Sequence, residues 1–299
     1  MTSRRTSNMY AGPEETKKLA YEGLLDVANH VIHAVRHAPQ ITSRLKVKTA
    51  IVTGEDLLPL IEFLELVGGD HEAVPWMDNL TYRKAYDEGK PPVVVLIGAD
   101  LTKSASGWNC GACGFATCAE FNKHSNLHHG LGLQAYGPSC MLNALDMGIA
   151  CDYACAAASK YDIENRIHTT VGLCALHLEY LEDVSYILGL SLGPLEEFWF
   201  YNRPCFTEIW DREFNDSWTM GRMRTLFPIM FQSFSGNFHP AIKSYDKWWD
   251  SMTQDFVSVT PDEELNEVED MLLPKVIAAA PQLRERVKAI KARGGTEST

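Results

Sequence analysis

Three cysteines stand close together in the middle of the chain, within residues 109–118, at the spacing C-x2-C-x4-C. Their thiolates can surround one centre only if the backbone curls, and Gly111 and Gly114 permit this because glycine reaches positive φ and brings N–H groups close to sulfur. A further cysteine after Pro138 completes a set of four, and iron–sulfur clusters are held by four thiolates in this way. The candidate metal ligands are Cys110, Cys113, Cys118 and Cys140.

Zinc is the main alternative to an iron–sulfur cluster. Structural zinc sites usually show two separated C-x2-C pairs, or cysteine pairs with histidine pairs, whereas this triple has glycines between its members. The tight triple also favours [4Fe–4S] over [2Fe–2S]. Zinc and unliganded thiols stay open as alternatives at this point.

The elements that must position these cysteines alternate between helices and short β-branched strands. We expect helices at 14–36, 56–67, 139–159 and 164–181, strands at 47–52, 92–97 and 184–192, and irregular connections at 100–118 and 119–137. This alternation predicts an α/β (mixed α+β) core over residues 13–195, with a small central sheet flanked by helices and the cysteine-rich Fe–S loop at 100–140.

From residue 196 the composition changes, because five of the seven tryptophans lie there. We expect residues 196–299 to form an aromatic-rich, mainly helical C-terminal extension with a helix at 261–293. The aromatic side chains of 196–256 would form its packing core, a substrate pocket or an electron-transfer interface.

Composition narrows the class of protein. The 299 residues are 45% hydrophobic and 22% charged, which excludes a disordered or fibrous chain. The net charge of −12 argues against nucleic acid and anionic membranes as partners, and no apolar run reaches the length of a membrane helix. The N-terminus lacks a secretory signal, so we expect a cytoplasmic location, where eight cysteines indicate ligands rather than disulfides.

The segment Asn109-Cys-Gly-Ala-Cys-Gly-Phe-Ala-Thr-Cys118 resembles the Asn-Cys-Gly-x-Cys-Gly-x-x-x-Cys element of corrinoid iron–sulfur proteins and electron-transfer-complex ferredoxin subunits. More of the chain, about residues 20–203, resembles the uncharacterised ferredoxin-domain-containing family (domain of unknown function 2148). The matching stretches are the cysteine segment, Val35–Pro39, Val52–Asp56, Val94–Gly98, Asp146–Ala150 and Asp162–Arg166. The resemblance implies a role in anaerobic metabolism, the same four cysteine ligands, and Asn109, Gly111 and Gly114 beside the cluster.

A weaker resemblance is to the FMN-dependent nitroreductase-like architecture, through Arg36-His-Ala-Pro39 and the Ala-rich helix after Asp146. It implies a flavin (FMN) next to the cluster. The candidate phosphate ligands would then be Arg36, Ser43, Arg44 and Lys46, and the simpler interpretation is that these are solvated residues after a helix.

Three other groups have a functional and a structural interpretation. Cys151 and Cys155 share a helix face and could ligate a second cluster with Cys174 or Cys205, or pack as small buried residues. Asp146 is expected to cap or brace the helix after Cys140. The loop histidines could bind metal, relay protons or simply face solvent; they are His124, His128 and His129.

The sequence therefore predicts an iron–sulfur redox protein that binds one [4Fe–4S] cluster and passes single electrons to or from a partner protein or a small-molecule site. One alternative is a flavin (FMN)-containing iron–sulfur oxidoreductase, and another is a non-catalytic, metal-stapled scaffold or assembly subunit. A redox partner protein is implied, as is a homo-oligomer or a larger complex, and the acidic net charge predicts steering of basic partners.

Overall fold

A computed structural model describes residues 12–69, 74–131, 135–193, 203–213 and 263–296. The chain divides into two compact units, one formed by residues 1–202 with 275–299 and the other by residues 203–274. The cysteines at 110, 113, 118 and 140 all belong to the first unit.

The first unit alternates helices and strands. Its helices are α1 (Pro13–His37), α2 (Leu58–Gly68, after a 3-10 turn at Gly54–Leu57), α3 (Val74–Asp87), α4 (Cys118–His128), α5 (Met141–Ser159) and α6 (Thr169–His177). Its strands are β1 (Val47–Val52), β2 (Val93–Ala99), β3 (Gly130–Leu131), β4 (Tyr136–Gly137), β5 (Asn165–His168) and β6 (Tyr186–Leu192). A long helix, α7 (Glu263–Thr296), begins in the second unit and ends in the first.

The main sheet is antiparallel throughout and has the strand order β1–β2–β6–β5. Strand β2 lies inside it, with Val95 opposite Ile51 of β1 on one side and Leu190 of β6 on the other. All seven residues of β2 are buried, as the continuous apolar run predicts for a strand covered on both faces. The cysteine segment follows directly from the end of this strand.

Alternate residues of β2 enter two different cores. Val94 and Leu96 pack with residues of α2 and α6, whereas Val93, Val95 and Ile97 pack with α1 and α5. Since successive strand side chains point to opposite faces, the sheet separates the two cores. The layer of α1 and α5 is the one that carries Cys140 at its end.

The C-terminal half of α7 packs against the first of these cores. Ala280, Leu283 and Val287 are buried there, at helical spacing. Arg284 donates to the carbonyl oxygen of His177 at 2.7 Å, and Arg286 pairs with Glu62. Residues 275–296 therefore complete the α2–α6 layer.

The expected fold class is confirmed at the level of a mixed α/β unit with a small sheet flanked by helices. The predicted strands, the helices at 14–36 and 139–159, and the C-terminal helix are all present within a few residues. The division at residue 195 stays a prediction. Most of the aromatic segment 196–256 lies outside the described residues.

Two local predictions are wrong. Residues 119–137 are not wholly irregular, because α4 occupies Cys118–His128. Residues 164–181 do not form one helix, because β5 takes Asn165–His168 and pairs with β6 before α6 begins. In the described part of the chain, no helix is both long and apolar enough to cross a membrane.

Candidate metal centre

The cysteine loop (residues 100–117) joins β2 to α4 and is fixed at its first residues. The amide of Leu101 donates to Ser185 Oγ at 2.7 Å, and its carbonyl oxygen accepts from the amide of Cys140 at 2.7 Å. Cys140 is thereby held against the start of the loop that carries the other three cysteines. A backbone hydrogen bond thus joins two segments that are distant in sequence.

The next part of the loop is held by two asparagines on neighbouring helices. Asn122 of α4 accepts from the amide of Ser104 and donates to its carbonyl oxygen, both at 2.8 Å. Asn143 of α5 donates to the carbonyl oxygen of Lys103 at 2.8 Å. Side chains that satisfy both backbone groups of a loop residue fix its orientation, so the loop has a defined path between the two helices.

Two of the four cysteines stand at helix N-termini. Cys118 is the first residue of α4, whose preceding Thr117 forms a capping box with Glu120. Cys140 is the N-cap residue of α5. The N-terminus of a helix carries partial positive charge, so both positions suit the binding of an anionic cofactor.

The sulfur of Cys118 receives two hydrogen bonds. Ser104 Oγ and the amide of Asn109 each donate to it at 3.4 Å. Asn109 Oδ1 in turn accepts from the amide of Cys118 at 2.9 Å. The hydroxyl of Ser104, followed by the amide of Asn109, lowers the pKa of the Cys118 thiol, because both bonds favour the thiolate.

All four cysteines line a single surface cavity. Cys140 is buried, Cys113 and Cys118 are half-buried, and Cys110 is exposed. The other lining residues are Ser104, Ser106, Asn109, Gly111, Phe115, Met141 and Leu142. Across the described residues, no three His, Cys, Asp or Glu side chains converge closely enough for one metal ion.

Left-handed backbone lets the loop curl around this cavity. Gly111 and Gly114 have φ of +75° and +87°, and Asn109 has φ of +50°. Asparagine tolerates this region better than most residues, and the side chain of Asn109 is held there by its bond to Cys118. The predicted role of the two glycines in turning the chain therefore matches their conformation.

The residues present fit an iron–sulfur cluster. The donor set is four cysteine sulfurs around one cavity, which is the ligand set of such clusters. Two helix N-termini and the hydrogen bonds to Cys118 supply the positive environment that an anionic cluster needs. Cys110, Cys113, Cys118 and Cys140 would hold it.

Arg36 stands apart from this cavity. It lies in the last turn of α1, is exposed, and is not among the lining residues. Ser43, Arg44 and Lys46 are also exposed, in the segment between α1 and β1. No observation supports a flavin at these residues, and the nitroreductase-like architecture stays a prediction.

Two of the three histidines lie in α4, and the third follows it as the C-cap residue His129. The ring of His124 contacts those of Phe115 and His128 in a tilted arrangement, with ring centroids 5.0 and 4.6 Å apart. All three are exposed. Since Phe115 lines the cavity, its contact with His124 extends an aromatic row from the cavity to the surface.

The remaining cysteines of the first unit pack in the cores. Cys151 lies in the α1–α5 core with Cys155 beside it, whereas Cys174 lies in the α2–α6 core. The sheet separates Cys174 from the other two, so these three do not meet at one site. Burial raises the pKa of Cys151 to about 12 and that of Cys174 well above its ordinary value.

Asp146 braces a different segment from the one that was expected. Its buried carboxylate, one turn into α5, accepts from the amide of Thr42 at 3.1 Å and also from the Thr42 hydroxyl and the Ile41 amide. It therefore fastens the connection between α1 and β1 to the helix that begins after Cys140.

Sequence reasoning missed the residues that hold the loop. Ser104 and Asn122 are ordinary polar residues with no motif around them, and their roles appear only when α4 is folded back on the loop. The one available signal was Thr117 followed by Glu120, a capping box that marks where α4 begins.

Comparison with known proteins supports the resemblance seen in the sequence. Residues 136–203 match the model of a family described as an uncharacterized protein containing a ferredoxin domain (DUF2148), which confirms the resemblance to that family. The matched residues include Cys140 but begin after the other three candidate ligands. An uncharacterized protein from Archaeoglobus fulgidus is 28% identical over 189 residues, covering 62% of this chain and 95% of its own. No solved structure matches the chain.

Proposed function

From the match to the ferredoxin-domain family, we propose that this protein binds one [4Fe–4S] cluster through Cys110, Cys113, Cys118 and Cys140 and exchanges single electrons with a partner. One observation carries the proposal: Cys140, from a distant part of the chain, lines the same cavity as the three clustered cysteines. When bound, such a cluster takes up one electron from a donor and gives one electron to an acceptor.

The chain's own groups favour a negatively charged centre. Helices α4 and α5 begin at residues that line the cavity, so the partial positive charge of both N-termini lies beside the site, and Ser104 and Asn109 donate hydrogen bonds to the Cys118 sulfur. Hydrogen bonds to ligand sulfur stabilise the more negative, reduced form and raise the reduction potential. Removing them therefore lowers the potential.

The candidate ligands differ in burial, so the site has a buried side and an exposed side. Cys140 lies on the protein side and is 4% exposed, whereas Cys110 is exposed at the surface. A partner would approach the Cys110 edge, where the least protein separates the cluster from solvent. This asymmetry suits an electron-transfer protein, whose partner must come close to the cofactor.

An anaerobic absorbance spectrum tests the proposal, recorded before and after dithionite with iron and acid-labile sulfide measured on the same sample. We expect about four irons and four sulfides per chain and a broad visible band that bleaches on reduction. Cys140→Ser should lose most of the iron, whereas Cys155→Ser, a half-buried cysteine of the same helix region, should keep it.

Other results would contradict the proposal. Zinc in place of iron would contradict the binding of an iron–sulfur cluster. Iron that does not change on reduction would favour a structural metal in a scaffold subunit. Full iron retention in Cys140→Ser would show that Cys140 is not a ligand.

A further inference from the structure

Exposed apolar side chains gather beside the cysteine cavity. Trp108, next to Asn109 in the loop, is 57% exposed. Met141 lines the cavity and is 42% exposed, and Leu145, one turn along the same face of α5, is 46% exposed. Exposed apolar patches of this kind mark interaction sites.

The segment fastened by Asp146 extends this patch. Asp146 lies about 7.5 Å along α5 from Met141, at about 1.5 Å per residue. Its bonds to Ile41 and Thr42 place that segment beside the first turns of the helix. Ile41 is 39% exposed and therefore adds an apolar side chain near the start of α5.

The charge around this patch is opposite in sign to that of the whole chain. Residues 38–46 and 100–146 contain four Lys or Arg and three Asp or Glu, although the chain has a net charge of −12. Asp146 is buried and Asp100 pairs with Lys103 at 3.8 Å, which leaves Arg44, Lys46 and Lys123 against Glu120. Arg44 and Lys46 are exposed, and residues 38–46 contain no acid.

We propose that this docking face binds an electron-carrier protein whose contact surface is acidic. The docking face consists of Ile41, Arg44, Lys46, Trp108, Met141 and Leu145. The inference rests on the proposed function, because it identifies the partner of the same cluster. Charge complementarity selects the partner, while the apolar centre supplies the desolvated contact.

The local charge reverses the expectation drawn from the whole chain. A net charge of −12 repels every acidic partner at long range, and the repulsion grows with the partner's charge, so it disfavours a polynucleotide more strongly than a protein with one acidic patch. An acidic carrier would be oriented by the uneven distribution, with its acidic side toward the docking face and away from the rest of the surface.

The experiment measures binding of the iron-loaded protein by anaerobic calorimetry to two probes, an acidic [2Fe–2S] ferredoxin and the basic carrier cytochrome c. The test variant is Arg44→Glu with Lys46→Glu. The matched control is Lys18→Glu with Lys160→Glu, which makes the same charge change at exposed lysines on α1 and at the far end of α5. Iron and sulfide are measured for every sample.

We expect the ferredoxin to bind with an affinity that falls as salt rises. The affinity for the ferredoxin should fall at least tenfold in the Arg44/Lys46 variant and less than twofold in the control variant. Three results would each contradict the proposed partner: an equal loss of affinity in both variants, preferred binding of cytochrome c, or displacement of the ferredoxin by single-stranded RNA. Self-association of the parent protein that disappears in the Arg44/Lys46 variant would also contradict the proposal, because the docking face would then bind a second copy of this chain. Low iron in the parent protein would instead contradict the proposed function.

Discussion

Asn122 holds both backbone groups of Ser104, accepting from its amide and donating to its carbonyl oxygen at 2.8 Å each. Ser104 in turn donates its hydroxyl to the sulfur of Cys118. A residue of α4 thus orients the loop residue that stabilises the cysteine at the start of the same helix. The relationship closes a ring of contacts around one side of the candidate cluster.

Replacing Asn122 should loosen the cluster more than the fold. Asn122→Ala removes two hydrogen bonds, worth about 2 kcal/mol together. We expect faster iron loss to a chelator, by at least about fivefold if most of that energy is expressed in the loop. Asn126→Ala, an exposed asparagine of the same helix, is the control and should release iron at the parental rate. Identical rates of iron loss in the parent, Asn122→Ala and Asn126→Ala proteins would contradict the role of Asn122 in holding the loop.

The buried carboxylate of Asp146 should be sensitive to loss of its charge. Asp146→Asn places an amide N–H₂ or a weaker acceptor against donors from Ile41 and Thr42, which costs about 1–3 kcal/mol. Urea unfolding measures this difference. Asp152→Asn, an exposed acid further along α5, should change stability by less than about 0.5 kcal/mol. An equal effect of the two substitutions would show that the bonds to the 41–42 segment contribute nothing.

The cysteines should differ strongly in reactivity once the metal is removed. Cys110 is exposed, whereas burial raises the pKa of Cys151 to about 12, so at pH 8 only about one Cys151 thiol in ten thousand is ionised. Cys174, also buried, has a pKa well above its ordinary value. Peptide mass spectrometry after iodoacetamide treatment should find Cys110 and Cys118 alkylated and Cys151 and Cys174 unmodified.

Raising the pH provides the control for that experiment. More thiolate forms as pH rises toward a raised pKa, so modification of Cys151 should increase at pH 10 while the protein stays folded by circular dichroism. Alkylation of Cys174 at the rate of Cys110 at pH 8 would contradict its placement in the α2–α6 core.

Close contact between α6 and β6 should make one glycine irreplaceable. A Cβ added at Gly172 would overlap the carbonyl oxygen of Ile187, so Gly172→Ala should destabilise the protein by about 3 kcal/mol. Gly148 is exposed on α5 with no atom within 4 Å of the added Cβ, and Gly148→Ala should stabilise by up to about 1 kcal/mol. Thermal unfolding of the two variants separates the effect of steric overlap from that of helix propensity. An unchanged stability of Gly172→Ala would contradict the close contact between α6 and β6.

Local pattern predicted those elements whose apolar residues repeat clearly. Strand β2 is a run of apolar residues, and α1 shows a stripe at helical spacing, so both were predicted within a few residues. The sequence pattern predicts a helix at Asn165–His168, because nothing within four residues reveals a partner strand. Their conformation depends on pairing with β6, a long-range contact. Helix α3 has a mixed polar and aromatic sequence, and its pattern gave no clear prediction.

The candidate site likewise contains residues that the local sequence predicts and residues whose role depends on long-range contacts. The four cysteines could be identified from spacing and from resemblance, since ligand chemistry restricts residue type. Ser104, Asn122 and Asn143 could not, because serine and asparagine occur throughout any chain and only the folded path of the loop selects these three. The basic character of the docking face was likewise hidden by the net charge, which sums over residues that do not share a surface.

The attachment of the cysteine loop to the end of β2 has a consequence for the order of assembly. Strand β2 is buried on both faces and paired on both edges, so its amides should be among the last to exchange with solvent. Cys140 is anchored by a backbone bond to Leu101, two residues beyond that strand. The strand pairs of the sheet include none of the four candidate ligands, so, if the proposed cluster binds, we expect a metal-free chain to form the sheet and to hold Cys140 beside the loop already.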